Sequence, residues 1–450
     1  MAENNLSTGN KEGSIAYVYL ISLVAAIGGL LFGFDTGVIS GAIPFIKEKF
    51  NLNAVEEGFA VSNLLIGCII GASVAGFLSD KYGRKRILLF TALFFALSAL
   101  LSAVPRNLTE LILARFLGGL AVGVASMLSP MYIAEVSPAR IRGKLVSLNQ
   151  FTIVLGILLS YFTNWLLVDT GASNWRWMLG IEALPAIIFF FALLLVPESP
   201  RWLIKNNRSD IAERILTRIG GMLHAKTEMR EIKAALSMEE GKLSELFKPG
   251  LRKVLAVGVL LAVFQQITGI NTVIYYAPKI FLSAGYESAS SALLASVVVG
   301  FTNLIFTLLA IFTVDHFGRK PLLLIGLAGM GISFCVTGFA FQVQNTGSTW
   351  ILIPIIAYVG FFSMSLGPVV WVLLSEIFPT KIRGRAMSIA TMSLWVSCFA
   401  VAQTFPVLVE NFAERTFYMF GIICFIGFVF VLSAVTETKG KSLEEIEQMW

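Results

Sequence analysis

The sequence predicts an all-α membrane protein of twelve transmembrane helices in two pseudo-symmetric six-helix halves, on three observations. The 450-residue chain is 56% hydrophobic and 14% charged, with a mean hydropathy of +0.79, whereas average globular proteins carry about 25% charged residues. Apolar stretches of about 20 residues, the length that crosses a hydrocarbon core, recur twelve times. Three motifs of the first part return in the second, in the same order and at nearly one spacing. A soluble fold of this composition would expose a large apolar surface, so lipid is the expected solvent.

The polar start, residues 1–14, is a tail. The apolar stretch after it outruns the h-region of a cleavable signal and is expected to remain as the first span. Spans follow near 17–46, 59–79, 87–104, 111–134, 145–167 and 177–196, within a first half of 15–196. Residues 197–252 are polar; NNRSDIAERILTRIGG and EMREIKAAL read as short amphipathic or solvated helices of a linker, too short for an independent core. Its GKLSELF lacks the glycine spacing of a phosphate loop, so bound ATP is not indicated. Six more spans are expected near 254–282, 291–314, 322–341, 350–374, 386–408 and 416–435, within a second half of 253–435, and residues 436–450 form a second tail.

GFLSDKYGRKR recurs as FTVDHFGRK, YIAEVSPARIRGK as LLSEIFPTKIRGR, and PESPR as TETKG. Asp80 and Asp315, Glu135 and Glu376, and Glu198 and Glu437 are 235, 241 and 239 residues apart. Agreement in order and separation makes the chain two copies of a six-helix unit, with a pathway between them.

Composition also excludes chemistries. His224 and His316, both in polar stretches, leave nothing for a histidine metal site or an intramembrane triad. Cys68, Cys335, Cys398 and Cys424 lie in apolar runs without short-range pairing, so they read as small apolar filler rather than disulfides or metal ligands. The net charge of +6 is spread over short loops, which argues against nucleic acid. With the N-terminus in the cytoplasm, only Lys47, Lys49, Arg106, Arg176, Lys279 and Arg415 fall outside, so both termini are expected to be cytoplasmic.

A charge near the bilayer centre costs from about 3 kcal/mol upward and needs a partner or a function. Asp35 is the clearest case, and Arg115 of the fourth span is its natural partner. A carboxylate paired in one conformation and alone in another changes its proton affinity, as proton coupling requires; the alternative is a static pair that fixes packing. In the seventh span, Gln265, Gln266, Asn271, Tyr275 and Tyr276 cannot share one stripe of a straight helix, and Gly269 and Pro278 favour local unwinding. Uncharged amides suit a neutral polyhydroxylated ligand, or else bond between helices. Gln150, Asn164, Asn303, Trp371, Trp395 and Gln403 are further isolated polar or aromatic groups; the two tryptophans sit mid-span, where a flat ring can stack on a sugar or serve packing. At the cytoplasmic helix ends, Asp80 with Arg84 and Glu135 with Arg142 either orient the ends or pair across helices as that side closes.

These residues resemble the sugar porters of the major facilitator superfamily, which include bacterial xylose and glucose proton symporters and animal facilitative glucose transporters. FGFDTGVISG, GFLSDKYGRKR, PESPRWL, QQITGIN, GPVVW and ETKG carry the resemblance across nearly the whole chain. It implies the major facilitator fold, sugar contacts from Gln150, Gln265, Gln266, Asn271, Asn303 and Trp371, and aromatic neighbours Phe32, Tyr275, Tyr276 and Trp395. It places Asp35 with the acid of proton-coupled members. Asp80, Arg84, Glu135, Arg142, Glu198 and Arg201, with Asp315, Arg319, Glu376, Arg383 and Glu437, are the expected cytoplasmic gate. Leu394 stands where several relatives have an amide, and Thr436 replaces a usual proline. The expected function is a proton-driven monosaccharide importer using alternating access in a bacterial inner membrane, as a monomer, with no cofactor, metal or enzymatic centre. A facilitative uniporter and a membrane sugar sensor are the competing readings.

Overall fold

Polar caps set where the helices begin, beyond the apolar runs themselves. Asn53 and Glu56 form a reciprocal capping box, Asn107 accepts from the Glu110 amide, and Ser288 pairs with Ser291, satisfying amides that a helix start leaves free. Most helices are therefore a few residues longer than the apolar stretches. The computed structural model describes residues 13–237, 246–248, 250–343, 349–379, 382–439, 441 and 445, without the side chains of Asp315 and Thr349. Its helices are α1 (Ile15–Phe50), α2 (Ala54–Tyr82), α3 (Arg84–Ala103), α4 (Leu108–Val136), α5 (Ala139–Leu167), α6 (Asn174–Gly180), α7 (Ala183–Leu195), α8 (Pro200–Lys205), α9 (Ser209–Ser237), α10 (Leu251–Ile267), α11 (Ile270–Ser283), α12 (Ala289–Phe317), α13 (Arg319–Gln342), α14 (Thr349–Met364), α15 (Leu366–Ile377), α16 (Arg383–Phe412) and α17 (Glu414–Ala434).

Among the described residues, twelve segments are long and apolar enough to cross a membrane, α6–α7, α10–α11 and α14–α15 each counting as one. Phe77, Phe90, Leu113, Phe191, Phe312, Phe339 and Val429 are exposed large apolar side chains, as a lipid-facing surface requires. Within the first half, α1 packs on α5 and α2 on α4; between halves, α2 packs on α16, α5 on α12 and α1 on α11. The α1 to α5 contact depends on Gly29, Gly33, Gly37 and Gly41: a Cβ at Gly33 would overlap the Ile153 carbonyl.

The linker contains the six-residue α8 and, within α9, two helices that meet at the non-helical Gly221 with φ 85°. Trp202, Leu203, Ile204 and Ala212 form a small core there. The Trp202 indole donates to the Asp80 carbonyl (2.9 Å), and the Ser14 amide to that of Arg218 (3.0 Å). The linker thus sits at the end of the bundle where α1 starts and α2 finishes, called here the motif end.

Three spans are broken. Gly269, at φ 98°, separates α10 from α11, and Tyr276 is off-helical two residues before Pro278, so the unwinding read from these residues is present. The breaks at Ser365 between α14 and α15 and at Ile181–Glu182 between α6 and α7 were not read from the sequence. Prolines leave further carbonyls without helical partners, because a proline has no N–H for residue i−4. Tyr276 Oη donates to the Ala402 carbonyl, four residues before Pro406, at 2.9 Å, and Tyr161 Oη to that of Ile274, four before Pro278, at 2.8 Å.

Candidate functional site

Asp35 lies inside unbroken α1 and Arg115 inside α4. Their side chains form a buried ion pair, and Arg115 Nη2 also lies 3.4 Å from the Asp35 carbonyl. Asp35 Oδ2 and Arg115 Nε are buried without a hydrogen-bond partner. A third ionisable group joins them. Glu182, 3% exposed in the break between α6 and α7, is close enough to interact electrostatically with both, and its Oε1 is unpartnered. The sequence carried the same signal for Glu182 as for Asp35, an acid inside an apolar run, but the break that admits it was invisible to hydropathy.

The amides of the second half form a directed relay across two helix breaks. Gln265 Nε2 donates to the Leu366 and Gly367 carbonyls (2.8 and 3.1 Å). Gln266 Nε2 donates to Gln265 Oε1 (3.4 Å), and Asn271 Nδ2 to Gln266 Oε1 (2.6 Å). The Thr268 carbonyl, at the first break, accepts from Tyr358 Oη at 3.0 Å. Asn303 Oδ1 accepts from Ser363 Oγ at 2.7 Å, tying α12 to α14. Tyr275 is buried with its hydroxyl 3.8 Å from Cys398 Sγ.

Phe32 and Trp395 meet between the halves, with ring centroids 5.7 Å apart, and the buried Trp395 indole N–H has no partner. Trp371 is 36% exposed on α15, and Gln150 is half-buried on α5. Tyr276 differs from its companions. Its hydroxyl is spent on the Ala402 carbonyl and its ring packs on Phe405 at 5.1 Å, because the chain is off-helical at that residue.

At the motif end each half repeats one cluster. Gly83 and Gly318 adopt φ 100° and 88° with extended ψ, a region open essentially to glycine alone. A Cβ at either would overlap the carboxylate of Glu198 or Glu437. Glu198 accepts from the Arg84, Lys85 and Ser199 amides (2.9, 3.1 and 2.8 Å), and Glu437 from those of Arg319, Lys320, Thr438 and Lys439 (3.0, 3.0, 2.9 and 2.8 Å). Each carboxylate thus caps the positive end of a helix, α3 or α13. Burial pushes the Glu198 carboxyl above its ordinary range despite these amides; at Glu437 burial acts the same way, but the four amides prevail and hold it below.

Arg84 reaches Asp80 at 2.9 Å, as expected. The expected Glu135 to Arg142 pair is not formed. Glu135 takes both Nε and Nη2 of Arg84 (3.0 and 3.1 Å), while Arg142 reaches the Ser137 carbonyl and Glu228 of α9, each at 3.3 Å. Pro138 ends the run between α4 and α5, so the two residues stand on different helices. In the second half Arg319 pairs with Glu376 at 2.9 Å, Thr438 Oγ1 donates to Glu376 at 2.6 Å, and Arg383 Nε donates to the Phe378 carbonyl at 3.1 Å. Arg201 is exposed on α8; the Asp315 side chain lies outside the described residues.

Among the described residues, four hydrogen bonds join the halves, all toward the end opposite the motifs. Glu57, 2% exposed, accepts from Lys279 Nζ at 2.7 Å and, within its own half, from Lys47 Nζ at 2.8 Å. Ser62 Oγ donates to Gln403 Oε1 (2.7 Å), Gln403 Nε2 to the Val55 carbonyl (3.0 Å), and Tyr161 to Ile274 as above. Among the described residues, the bonds of the motif clusters given above run within their own halves and to the flanking linker and tail segments. The described hydrogen bonds between the halves thus form a latch at the end opposite the motifs.

Twelve spans, two halves joined by hydrogen bonds at the end opposite the motifs and a central set of amides, aromatics and a buried ion pair define a membrane transporter. The chain belongs to the sugar transporter family, whose model, described as "Sugar (and other) transporter", matches residues 21–450. It is 44% identical over 448 residues to the arabinose-proton symporter of Bacillus subtilis (strain 168), covering 98% of this chain and 96% of that one. The inward-open structure of the xylose transporter XylE from E. coli superposes with a TM-score of 0.86 at 41% identity, covering 96% of this chain and all of the other. The proton:xylose symporter XylE bound to 6-bromo-6-deoxy-D-glucose gives 0.80 at 41% identity, over 97% and 99%.

Proposed function

We propose that this protein carries a neutral pentose or hexose together with a proton through a bacterial plasma membrane by alternating access. The units 15–196 and 253–435 rock against each other, and 197–252 links them on the cytoplasmic face. The observation that carries the reading is the Asp35–Arg115 pair. Desolvating two ions costs several kcal/mol each, and here one carboxylate oxygen is left without a partner. A pair kept at that cost suits a group that changes charge during the cycle. Protonation of Asp35 cancels its attraction to Arg115 and lowers the barrier between states, with Glu182 a second buried carboxyl group nearby.

In this reading Gln150, Gln265, Gln266, Asn271 and Asn303 hold the sugar hydroxyls, and Phe32, Tyr275, Trp371 and Trp395 flank the ring. Tyr276 acts through packing. The motif clusters, with Asp315 and Arg201 at their edge, form the cytoplasmic gate. The distribution of Lys and Arg supports cytoplasmic termini, and the higher likeness to the inward-open relative supports an inward-facing state. One chain encloses the whole site, which supports a functional monomer.

The test is proteoliposomes given arabinose, xylose, glucose, galactose or inositol. The expected result is sugar uptake with alkalinisation outside. Uptake without proton movement would make the protein a uniporter, and binding without passage a sensor.

A further inference from the structure

Cys398 reads in the sequence as small filler, but its surroundings give it a task. It lies on α16, 1% exposed and three residues after Trp395. Its Sγ accepts from Asn271 Nδ2 at 3.0 Å and stands 3.8 Å from Tyr275 Oη. It is therefore bonded to one residue of the proposed sugar site and borders a second.

The relay explains what this contact does. An amide has two donors and one acceptor oxygen. Gln265 spends its donors on the Leu366 and Gly367 carbonyls in the first turn of α15, so its oxygen must face Gln266. Gln266 then turns its own oxygen toward Asn271. Asn271 gives one N–H to that oxygen and the other to Cys398, and both donors are consumed by protein. What remains open on this side chain is Oδ1, a pure acceptor. Without the sulfur, one N–H is released and the same position offers a ligand both a donor and an acceptor.

We propose that Cys398 is a positioning residue of the sugar site: its sulfur fixes Asn271 so that this position only accepts a hydroxyl proton, and thereby sets discrimination among monosaccharides that differ at one hydroxyl. The proposal rests on the sugar-transport reading above. A thiol is a weak acceptor and Tyr275 crowds its other side, so the contact orients the amide without competing strongly for the ligand.

The test compares wild type with Cys398→Ala, Cys398→Val and Cys398→Ser in detergent and in proteoliposomes, measuring binding of glucose, galactose, xylose and arabinose and the maximal exchange rate. Removing one neutral hydrogen bond corresponds to roughly three- to tenfold in affinity. Both apolar variants are expected to weaken the preferred sugar by about that factor and to flatten the differences among the four. Exchange at saturating sugar should stay within about twofold, and serine should restore affinity and rank order. Wild-type affinity and rank order in the apolar variants overturn the proposal, as does an equal loss for all four sugars that serine fails to recover. Should alanine fail to fold, valine, which fills the thiol's volume, carries the same decision. A wild-type protein that binds none of the four removes the sugar reading itself, whereas a binding wild type with silent variants removes only Cys398.

Discussion

Asp35 and Glu182 are two acids inside apolar helices, yet only one has a guanidinium in bonding contact. Asp35→Asn is expected to abolish uphill sugar accumulation while leaving exchange and binding largely intact; concentrative uptake at the wild-type level would remove Asp35 from coupling. Arg115→Ala should be far more damaging to the fold, because it leaves a buried carboxylate unpaired at a cost of about 3–5 kcal/mol, visible as a lowered melting temperature in detergent. Gln266→Ala breaks the relay next to Asn271 and should weaken sugar binding about tenfold, checked by titration calorimetry. The two capping acids differ in a way that pH exposes. Glu437, held below its ordinary range, contributes stability above the unfolded carboxyl pKa, and that contribution fades as pH falls through the lower folded value. Glu198, held above, pays for its charge at neutral pH. Glu437→Gln should therefore destabilise more than Glu198→Gln at pH 7, and the gap should narrow on acidification. Asp35 and the amide cluster were legible as polar residues in oil, whereas the direction of each amide was not, since hydrogen-bond polarity depends on carbonyls of another helix that only the fold brings alongside.

At the level of helices, hydropathy located all twelve spans, because length and apolarity are properties of the stretch itself. It did not reveal that α14 and α15, or α6 and α7, are separate pieces. The Gly367–Pro368 pair was a visible signal for the first; for the second only Glu182 and Pro185 hint at the interruption. Charge bias likewise registered Lys47 and Lys279 as exceptions outside, while the fold turns them into the two arms of a clasp around Glu57. Glu57→Gln should loosen this clasp and shift the population toward the state open opposite the motifs. Spin labels at Glu48→Cys and Glu287→Cys, both exposed positions at that end, should report a longer separation in the variant; an unchanged distance distribution would mean the ionic contacts do not bias the equilibrium.

For the whole molecule, the recurrence of GRK, E-x-x-P and the terminal acids was enough to read two equivalent halves, because each motif answers to a local need: a glycine-only turn, an arginine on a carboxylate, an acid on a helix start. Which pairs would form was less legible, as the switch of Glu135 from Arg142 to Arg84 illustrates; neighbours along the chain are not neighbours across a bundle. The latch opposite the motifs, finally, has a thermodynamic corollary at Pro278. The Ile274 oxygen is served by Tyr161 from the opposite half, so the kink is dry only while the two halves touch there. When they part, water must take over that oxygen, and the cycle alternately hydrates and dehydrates a single peptide group. An isotope-edited infrared band for the Ile274 carbonyl would then shift with each turnover.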